Sequence, residues 1–329
     1  MNDKNINPKV TIFVPCFNVE NYVNECVDSI LAQSYENLEI LLIDNNSSDG
    51  TYAVLEDYAR KDLRIRVLKC ETKGLSAVKN MALESSTGDF VFNVDADDII
   101  VKNTIERLVG VALSTDASAV CCAHFLLGED LKNGTKHVSV KEFDSSNLQD
   151  IHEYFLSLGH NITQTWGKLY KREVFEGITF PEGKLYEDIF VFPYIIENMS
   201  RCVVIDEALY GYRQRSTSVC ASSKLSELMD GVLGRRLNCD FYGDKYPGFE
   251  PLSYDCLLDF CFWSLGKKYD SNESEETEDL LKLKSIISDA SKKAELSSFS
   301  YSVAVGLFKV SPKIAGFACR LYSRFKNRV

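Results

Sequence analysis

Three aspartates stand within four residues at Asp95-Ala96-Asp97-Asp98, directly after the apolar run Phe90 to Val94. Carboxylates packed this closely repel one another unless a cation sits among them. Hard oxygen ligands that leave room for a diphosphate suit Mg2+ or Mn2+. An Asp-x-Asp pair arises readily by chance in a chain this acidic, so its place after a buried strand is what makes it informative. The competing reading is a helix cap and a solvated turn, which Asp97 or Asp98 could supply. A further acid, Asp44, closes the apolar run Leu38 to Ile43 and opens the turn-rich stretch Asp44-Asn45-Asn46-Ser47-Ser48-Asp49-Gly50.

The elements that must position these acids alternate over the first hundred residues. Val10 to Val14 is a short β-branched run, read as a buried strand. After Pro15-Cys16-Phe17-Asn18, apolar residues at Val19, Tyr22, Val23, Cys26, Val27, Ile30 and Leu31 predict an amphipathic helix with Asn18 as its N-cap. Strands follow at Leu38 to Ile43, Ile65 to Leu68 and Phe90 to Val94, with helices at about Tyr52 to Arg60 and Ser76 to Glu84. Continuous apolar strands alternating with helices predict an α/β fold, its sheet mostly parallel and covered on both faces. In such a sheet ligands bind outside the carboxyl ends of the strands, where Pro15 to Asn18, Asp44 to Asn46 and Asn93 to Asp98 fall. No Gly-x-Gly-x-x-Gly follows the first strand and no P-loop lysine motif occurs, so acids stand where dinucleotide and P-loop folds have glycines.

Composition narrows the class. The chain has 329 residues, 45% hydrophobic and 26% charged, enough for one large or two smaller core-bearing domains. A net charge of −11 argues against a general nucleic-acid binder. No uncharged run reaches 18 residues and the start is polar, so neither a membrane span nor a signal peptide is expected and the location is read as cytoplasmic. Eleven cysteines without a C-x-x-C pair, and four histidines away from zinc-ligand spacing, read as buried free thiols.

Residues 9 to 100, carried by "VTIFVPCFNVENYVNECVDSILAQSYENLEILLIDNNSSDGT" and "KGLSAVKNMALESSTGDFVFNVDADD", closely resemble family 2 of the inverting glycosyltransferases, which have the GT-A nucleotide-sugar-binding fold. The resemblance resumes at "WGKLYKREVF", "KLYEDIFVFPYII" and "ALYGYRQRSTSV". It implies that Pro15, Phe17, Asn18, Asp44 and Asn46 line the nucleotide pocket, with Asp44 facing base or ribose. Many relatives have a second acid where this chain has Asn45. Gly74, Lys79 and Asn80 would lie along the donor. Lys79 stands where arginine is more usual, supplying point charge without the planar fork. Asp95 would contact donor sugar or ribose, and Asp97 would bind the metal, Mn2+ or Mg2+, with Asp95 beside it. Glu187-Asp188 matches the pair that holds the catalytic base; Asp188 is read as the base and Glu187 as an orienting group. Arg213 and Arg215 would meet phosphate, and Trp166 would stack on a sugar or fill the core. The implied partners are a nucleotide-sugar donor, taken as a UDP-sugar, and a glycan or lipid-linked acceptor of bacterial surface polysaccharide assembly.

Residues 1–220 are read as the glycosyltransferase domain, its nucleotide-binding half at about 9–110 and its acceptor half at about 111–220. In that second half, Ala119 to Ala123 reads as a strand, Gly128 to Asp150 as a polar excursion, and Trp166 to Phe175 and Arg201 to Tyr212 as sheet-edge and helix pieces. Residues 221–329 read as mainly helical, with an acidic loop at 270–279 and a helix from Leu280 to Glu295. The last 34 residues contain no acid and six bases, and the tail 309–329 can form a basic amphipathic helix suited to an anionic membrane surface. Docking on the protein's own acidic body is the alternative. Three alternative functions remain. A sugar-nucleotide pyrophosphorylase would show a Gly-rich basic loop where "PCFNVENY" stands, and a non-catalytic relative would be expected to have lost the acids. A nicotinamide-dependent oxidoreductase would carry the missing glycine fingerprint.

Overall fold

A computed structural model describes residues 7–128, 136–158, 163–214, 224–270, 277–294, 296, 299–316 and 318. By its internal contacts the chain divides into two compact units: residues 1–151, 165–183 and 194–215, and residues 152–164, 184–193 and 216–329. The second unit thus draws two segments from before residue 220.

The first unit holds the sheet. Its elements are β1 (Val10–Cys16), α1 (Val23–Leu31), β2 (Leu38–Asp44), α2 (Thr51–Lys61), β3 (Ile65–Lys69), α3 (Leu75–Ser85) and β4 (Phe90–Asn93). They are followed by β5 (Ile99–Ile100), α4 (Thr104–Thr115), β6 (Ala119–Leu127), β7 (Lys136–Val138), β8 (Phe143–Ser145) and α5 (Leu148–Ser157). Later come β9 (Lys168–Lys171) and β10 (Cys202–Arg213), while α6 (Glu187–Glu197) opens in the second unit and ends in the first. The strand order is β3-β2-β1-β4-β9-β6-β10-β5, with β7 on β6 and β8 on β10. Pairing is parallel through β3, β2, β1 and β4 and between β6 and β10, and antiparallel at β9, β5, β7 and β8. This is the α/β fold expected, with a central sheet flanked by helices.

Every residue of β2 is buried, as a strand covered on both faces requires. Register then aligns the strand ends: Cys16 lies beside Asp44, Asp44 beside Lys69, and Phe13 beside Asn93. The loops after β1, β2 and β4 therefore leave from one edge of the sheet.

Several local readings differ from what is seen. Helix α1 starts at Val23, and Asn18 does not cap it. Asn18 instead takes φ +51°, which its short side chain tolerates, and its Oδ1 accepts from the Ser48 backbone N–H at 2.8 Å. The polar excursion contains the short strands β7 and β8. The pieces read as sheet edge are interior: β9 lies between β4 and β6, and β10 between β6 and β5.

The second unit contains α7 (Leu225–Lys245), α8 (Glu250–Asp270), α9 (Glu278–Ala290) and α10 (Phe299–Val310), the helical C-terminal region expected. They pack around Leu228, Val232, Leu257, Cys261, Leu265, Leu283 and Ile287, all fully buried. Gly231 permits close packing inside the unit, since a Cβ there would stand 2.3 Å from Phe260 Cζ. Helix α9 is capped by Thr277, whose side chain accepts from Leu280 N–H at 3.3 Å. Among the described residues no helix is long and apolar enough to cross a membrane. The nine described cysteines are free thiols. Arg215, most of the acidic loop and the tail beyond residue 318 lie outside the described residues.

Candidate active site

The edge formed by the ends of β1, β2 and β4 gathers most of the residues singled out from sequence. After β1, Pro15 pairs in register with Ile43, and the Phe17 ring is 56% exposed. Asp44, at the end of β2, is buried, and its carboxylate oxygens each stand 3.4 Å from the Ser47 N–H. The Asp44 charge and burial together push the adjacent Cys16 thiol far up, burial being the larger cause.

Asn45 has a role that sequence reading missed. Its buried amide donates to the carbonyls of Cys70 at 3.0 Å and Thr72 at 2.7 Å, while its Oδ1 accepts from Gly74 N–H at 2.8 Å. An acid at this position could accept but not donate, so the β3–α3 loop would lose two bonds. Asn46, at φ +60°, adds donations to Cys70 and Glu71. Gly74 sits at φ +114°, a conformation that disfavours a Cβ even though the space around it is open.

Helix α3 starts at that loop. Lys79 is only 3% exposed, and its ammonium stands 5.3 Å from the centre of the Phe180 ring. Asn80 bonds both ways with the Phe180 backbone, at 3.0 and 2.8 Å, and Ser76 donates to Pro181. Asn80 is thereby used to dock the 180–181 segment.

The aspartate turn follows β4. Asp95 and Asp97 are half-buried, and Asp95 Oδ1 accepts from the Asn93 amide at 3.0 Å. Asp98 is 1% exposed. Burial first, and then the charges of Asp95 and Asp97, hold its carboxyl well above the ordinary range, against bonds from Arg213 and Tyr210 that lower it. Arg213, expected beside phosphate, is 2% exposed at the end of β10. Its backbone N–H donates to Asp98 Oδ1 at 2.7 Å, its Nε to the Asp97 carbonyl at 2.6 Å, and its Nη2 to Glu25. In this position the guanidinium braces the turn, because the β10 register delivers it behind the aspartates. Trp166, joined to Asn93 by an isolated bridge, stacks on Tyr210 and Tyr212 at 4.7 and 5.3 Å, with His124 edge-on at 5.3 Å.

Asp95 and Asp97 fit a hard divalent cation in chemistry. The Asn93 amide that bonds Asp95 also carries a buried Oδ1 with no hydrogen-bond partner, a further hard oxygen at the same place. Among the described residues no group of three His, Cys, Asp or Glu side chains could hold a metal. The protein would thus supply a minority of the ligands, as for Mg2+ held by one or two carboxylates with phosphate and water completing the shell.

Glu187 and Asp188 belong to the second unit, where they open α6. Tyr186, at φ +57°, turns the chain into the helix; Glu187 is buried and Asp188 half-buried. Asp188 Oδ1 accepts from Ile189 N–H at 2.8 Å, and two acids in a first turn suit the helix dipole. The entry to α6 is pinned to α7: Asp230 takes Lys184 Nζ at 2.9 Å and Leu185 N–H at 3.2 Å, and Asn238 donates to the Ile189 carbonyl.

Acids at the carboxyl ends of the parallel strands β2 and β4, which flank β1, without a glycine fingerprint, mark the ligand-binding edge of an open α/β sheet. The family model described as "Glycosyl transferase family 2" matches residues 11–179, and the chain belongs to that family. The glycosyltransferase GlyA of Streptococcus pneumoniae is 30% identical over 220 residues, which are 65% of this chain but only 32% of GlyA. Two solved structures share the fold. TarS 1-349 of S. aureus, in complex with UDP-GlcNAc, aligns with a TM-score of 0.68 at 20% identity, covering 97% of this chain and 92% of that one. The mannosyltransferase PcManGT of Pyrobaculum calidifontis, in complex with GDP-Man and Mn2+, aligns with a TM-score of 0.57 at 18% identity, covering 97% and 88%.

Proposed function

We propose that this chain transfers a sugar from a nucleotide-sugar donor, read as a UDP-sugar, to a hydroxyl of a glycan or lipid-linked acceptor, with inversion, in surface polysaccharide assembly (capsule, O-antigen or exopolysaccharide). The observation that carries the reading is the set of acids Asp44, Asp95 and Asp97 at one sheet edge of a family 2 member. The donors named for TarS and PcManGT support it, as does the Mn2+ of the latter.

In this reading the exposed Phe17 ring stacks on the base, Asp44 meets base or ribose, and Pro15, Asn18 and Asn46 shape the loops around them. Gly74 and Lys79 lie along the diphosphate, the buried ammonium adding fixed positive charge. Mn2+ or Mg2+ held by Asp97 and Asp95 supplies neutralisation of the charge that gathers on the departing diphosphate. Asp188 takes the proton of the acceptor hydroxyl as that oxygen attacks the anomeric carbon from the face opposite the leaving group, so configuration inverts. Glu187 orients the loop or the acceptor. The basic tail holds the enzyme at an anionic, cytoplasmic membrane face; its described part exposes Lys309 and Lys313 beside Val310 and Ile314.

Thermal stability against UDP, GDP, TDP and CDP, each with and without Mn2+, tests the donor site. A ligand at a hundred times its dissociation constant adds about 2.7 kcal/mol, a shift of several degrees. A metal-requiring shift with one nucleotide supports the reading and names the donor class. No shift with any nucleotide makes a non-catalytic relative the better account.

A further inference from the structure

The aspartate turn is held from outside at three backbone atoms, Asp95 N–H, Asp95 C=O and Asp97 C=O, and at both carboxylate oxygens of Asp98. Asp95 N–H donates to Tyr210 Oη at 3.1 Å, and Tyr210 Oη in turn donates to Asp98 Oδ2 at 2.7 Å. Asp95 C=O accepts from Asp98 N–H at 2.9 Å and from the Cys26 thiol at 3.6 Å. Asp97 C=O accepts from Arg213 Nε, and Asp98 Oδ1 from Arg213 N–H. The strand that brings these groups is locked to the residue pair just past the turn, with Tyr210 opposite Ile100 and Gly211 opposite Ile99. Only glycine allows that approach, since a Cβ at 211 would stand 2.8 Å from both Ile99 Cγ1 and Phe125 Cζ.

A buried carboxyl beside two other acids is an expensive way to fill space, and an apolar side chain would pack there without the desolvation penalty. What Asp98 adds is geometry: two acceptor oxygens that seat one hydroxyl and one backbone N–H, each of which then reaches the turn. We infer that Asp98, acting through Tyr210 and Arg213, is a positioning residue that aims the half-buried Asp95 and Asp97 carboxylates. This inference rests on the proposed metal-bearing role of those two acids. Outer-shell partners of ligating carboxylates typically change metal affinity 10- to 100-fold when removed.

Tyr210→Phe tests it with little disturbance, because the ring that stacks on Trp166 remains and only the hydroxyl is lost. Two readouts are taken on the full chain: calorimetric binding of UDP with and without Mn2+, and amide hydrogen exchange of residues 94–99 without ligand. The expected result is at least about a 10-fold loss of Mn2+-dependent affinity, near-unchanged metal-free affinity, and faster exchange at Asp95. Tyr35→Phe is the control, removing a hydroxyl that bonds Pro8 C=O at 2.6 Å in the same unit; it should change neither readout. Asp98→Asn, whose amide nitrogen cannot accept, should reproduce the Tyr210→Phe pattern. Wild-type affinity and wild-type exchange in Tyr210→Phe would overturn the inference. An equal loss in Tyr35→Phe would also overturn it, by showing generic destabilisation. Faster exchange at Asp95, in a protein whose wild type binds UDP without regard to Mn2+, would instead overturn the metal-bearing reading of the turn and leave the clamp standing.

Discussion

Acid should weaken the helical unit through His152. The imidazole is 0% exposed, with Nδ1 3.0 Å from the Tyr242 hydroxyl and ring centres of Tyr246 and Tyr242 at 4.7 and 5.4 Å. Among the described residues, the titratable groups beside it include the phenols of Tyr242 and Tyr246 and the ammonium of Lys245. Burial, reinforced by the Lys245 charge, lowers its pKa from 6.5 to about 4. A histidine whose folded pKa is depressed binds more protons unfolded than folded between those two values. Its contribution is therefore fully present above pH 6.5 and is lost as pH falls toward 4. From the two values the loss relative to pH 7 is about 2 kcal/mol at pH 5 and about 3 kcal/mol at pH 4. Urea unfolding, followed by Trp263 fluorescence in a Trp166→Phe background, reports this unit. Carboxylates contribute equally to the pH profiles of wild type and His152→Asn, so the difference between the two isolates the histidine. Asparagine keeps a polar atom near the Nδ1 position and cannot titrate. The wild type should lose about 3 kcal/mol more than the variant between pH 7 and pH 4. Parallel profiles within about 0.5 kcal/mol would refute the assignment of a buried neutral imidazole.

Asp188→Asn keeps an acceptor for Ile189 N–H, so it should fold and bind nucleotide as wild type while transfer drops about 10²- to 10⁴-fold; near wild-type turnover would remove Asp188 as the base. Asp97→Ala should abolish the Mn2+-dependent part of nucleotide affinity in the same calorimetric assay, and retention of that part would move the metal elsewhere. Gly88→Ala would put a Cβ 2.6 Å from Thr11 N and 2.8 Å from the carbonyl oxygens of Lys9 and Phe90, backbone atoms that cannot step aside. It should destabilise by about 2 kcal/mol or more, and a melting point equal to wild type would contradict that geometry. Removing residues 309–329 should abolish co-sedimentation with phosphatidylglycerol vesicles; undiminished binding would give the tail another role.

Local pattern was enough to read much of the first hundred residues. The runs Val10 to Val14, Leu38 to Ile43 and Phe90 to Val94 are continuous and apolar because both faces of a parallel strand are covered, and that property is visible residue by residue. Their carboxyl ends then named Asp44, Asp95 and Asp97, since parallel strands must end on one edge. The same logic failed where a residue's partner lies far along the chain. Asn18 has the composition of a cap, yet Ser48 takes its side chain. Asn45 reads as a missing acid until the carbonyls of Cys70 and Thr72 arrive to use its amide. Arg213, read only as a phosphate ligand, also bonds Asp97 C=O and Glu25, contacts that no local pattern announces. The strands β7 and β8 have three residues each, too few to show any period. What the sequence determined alone is the order of the elements and the chemical types at the strand ends. Which of those groups face outward and which are used to hold the frame was decided by register between segments more than a hundred residues apart, such as Asp98 and Arg213, and no local periodicity encodes such pairing.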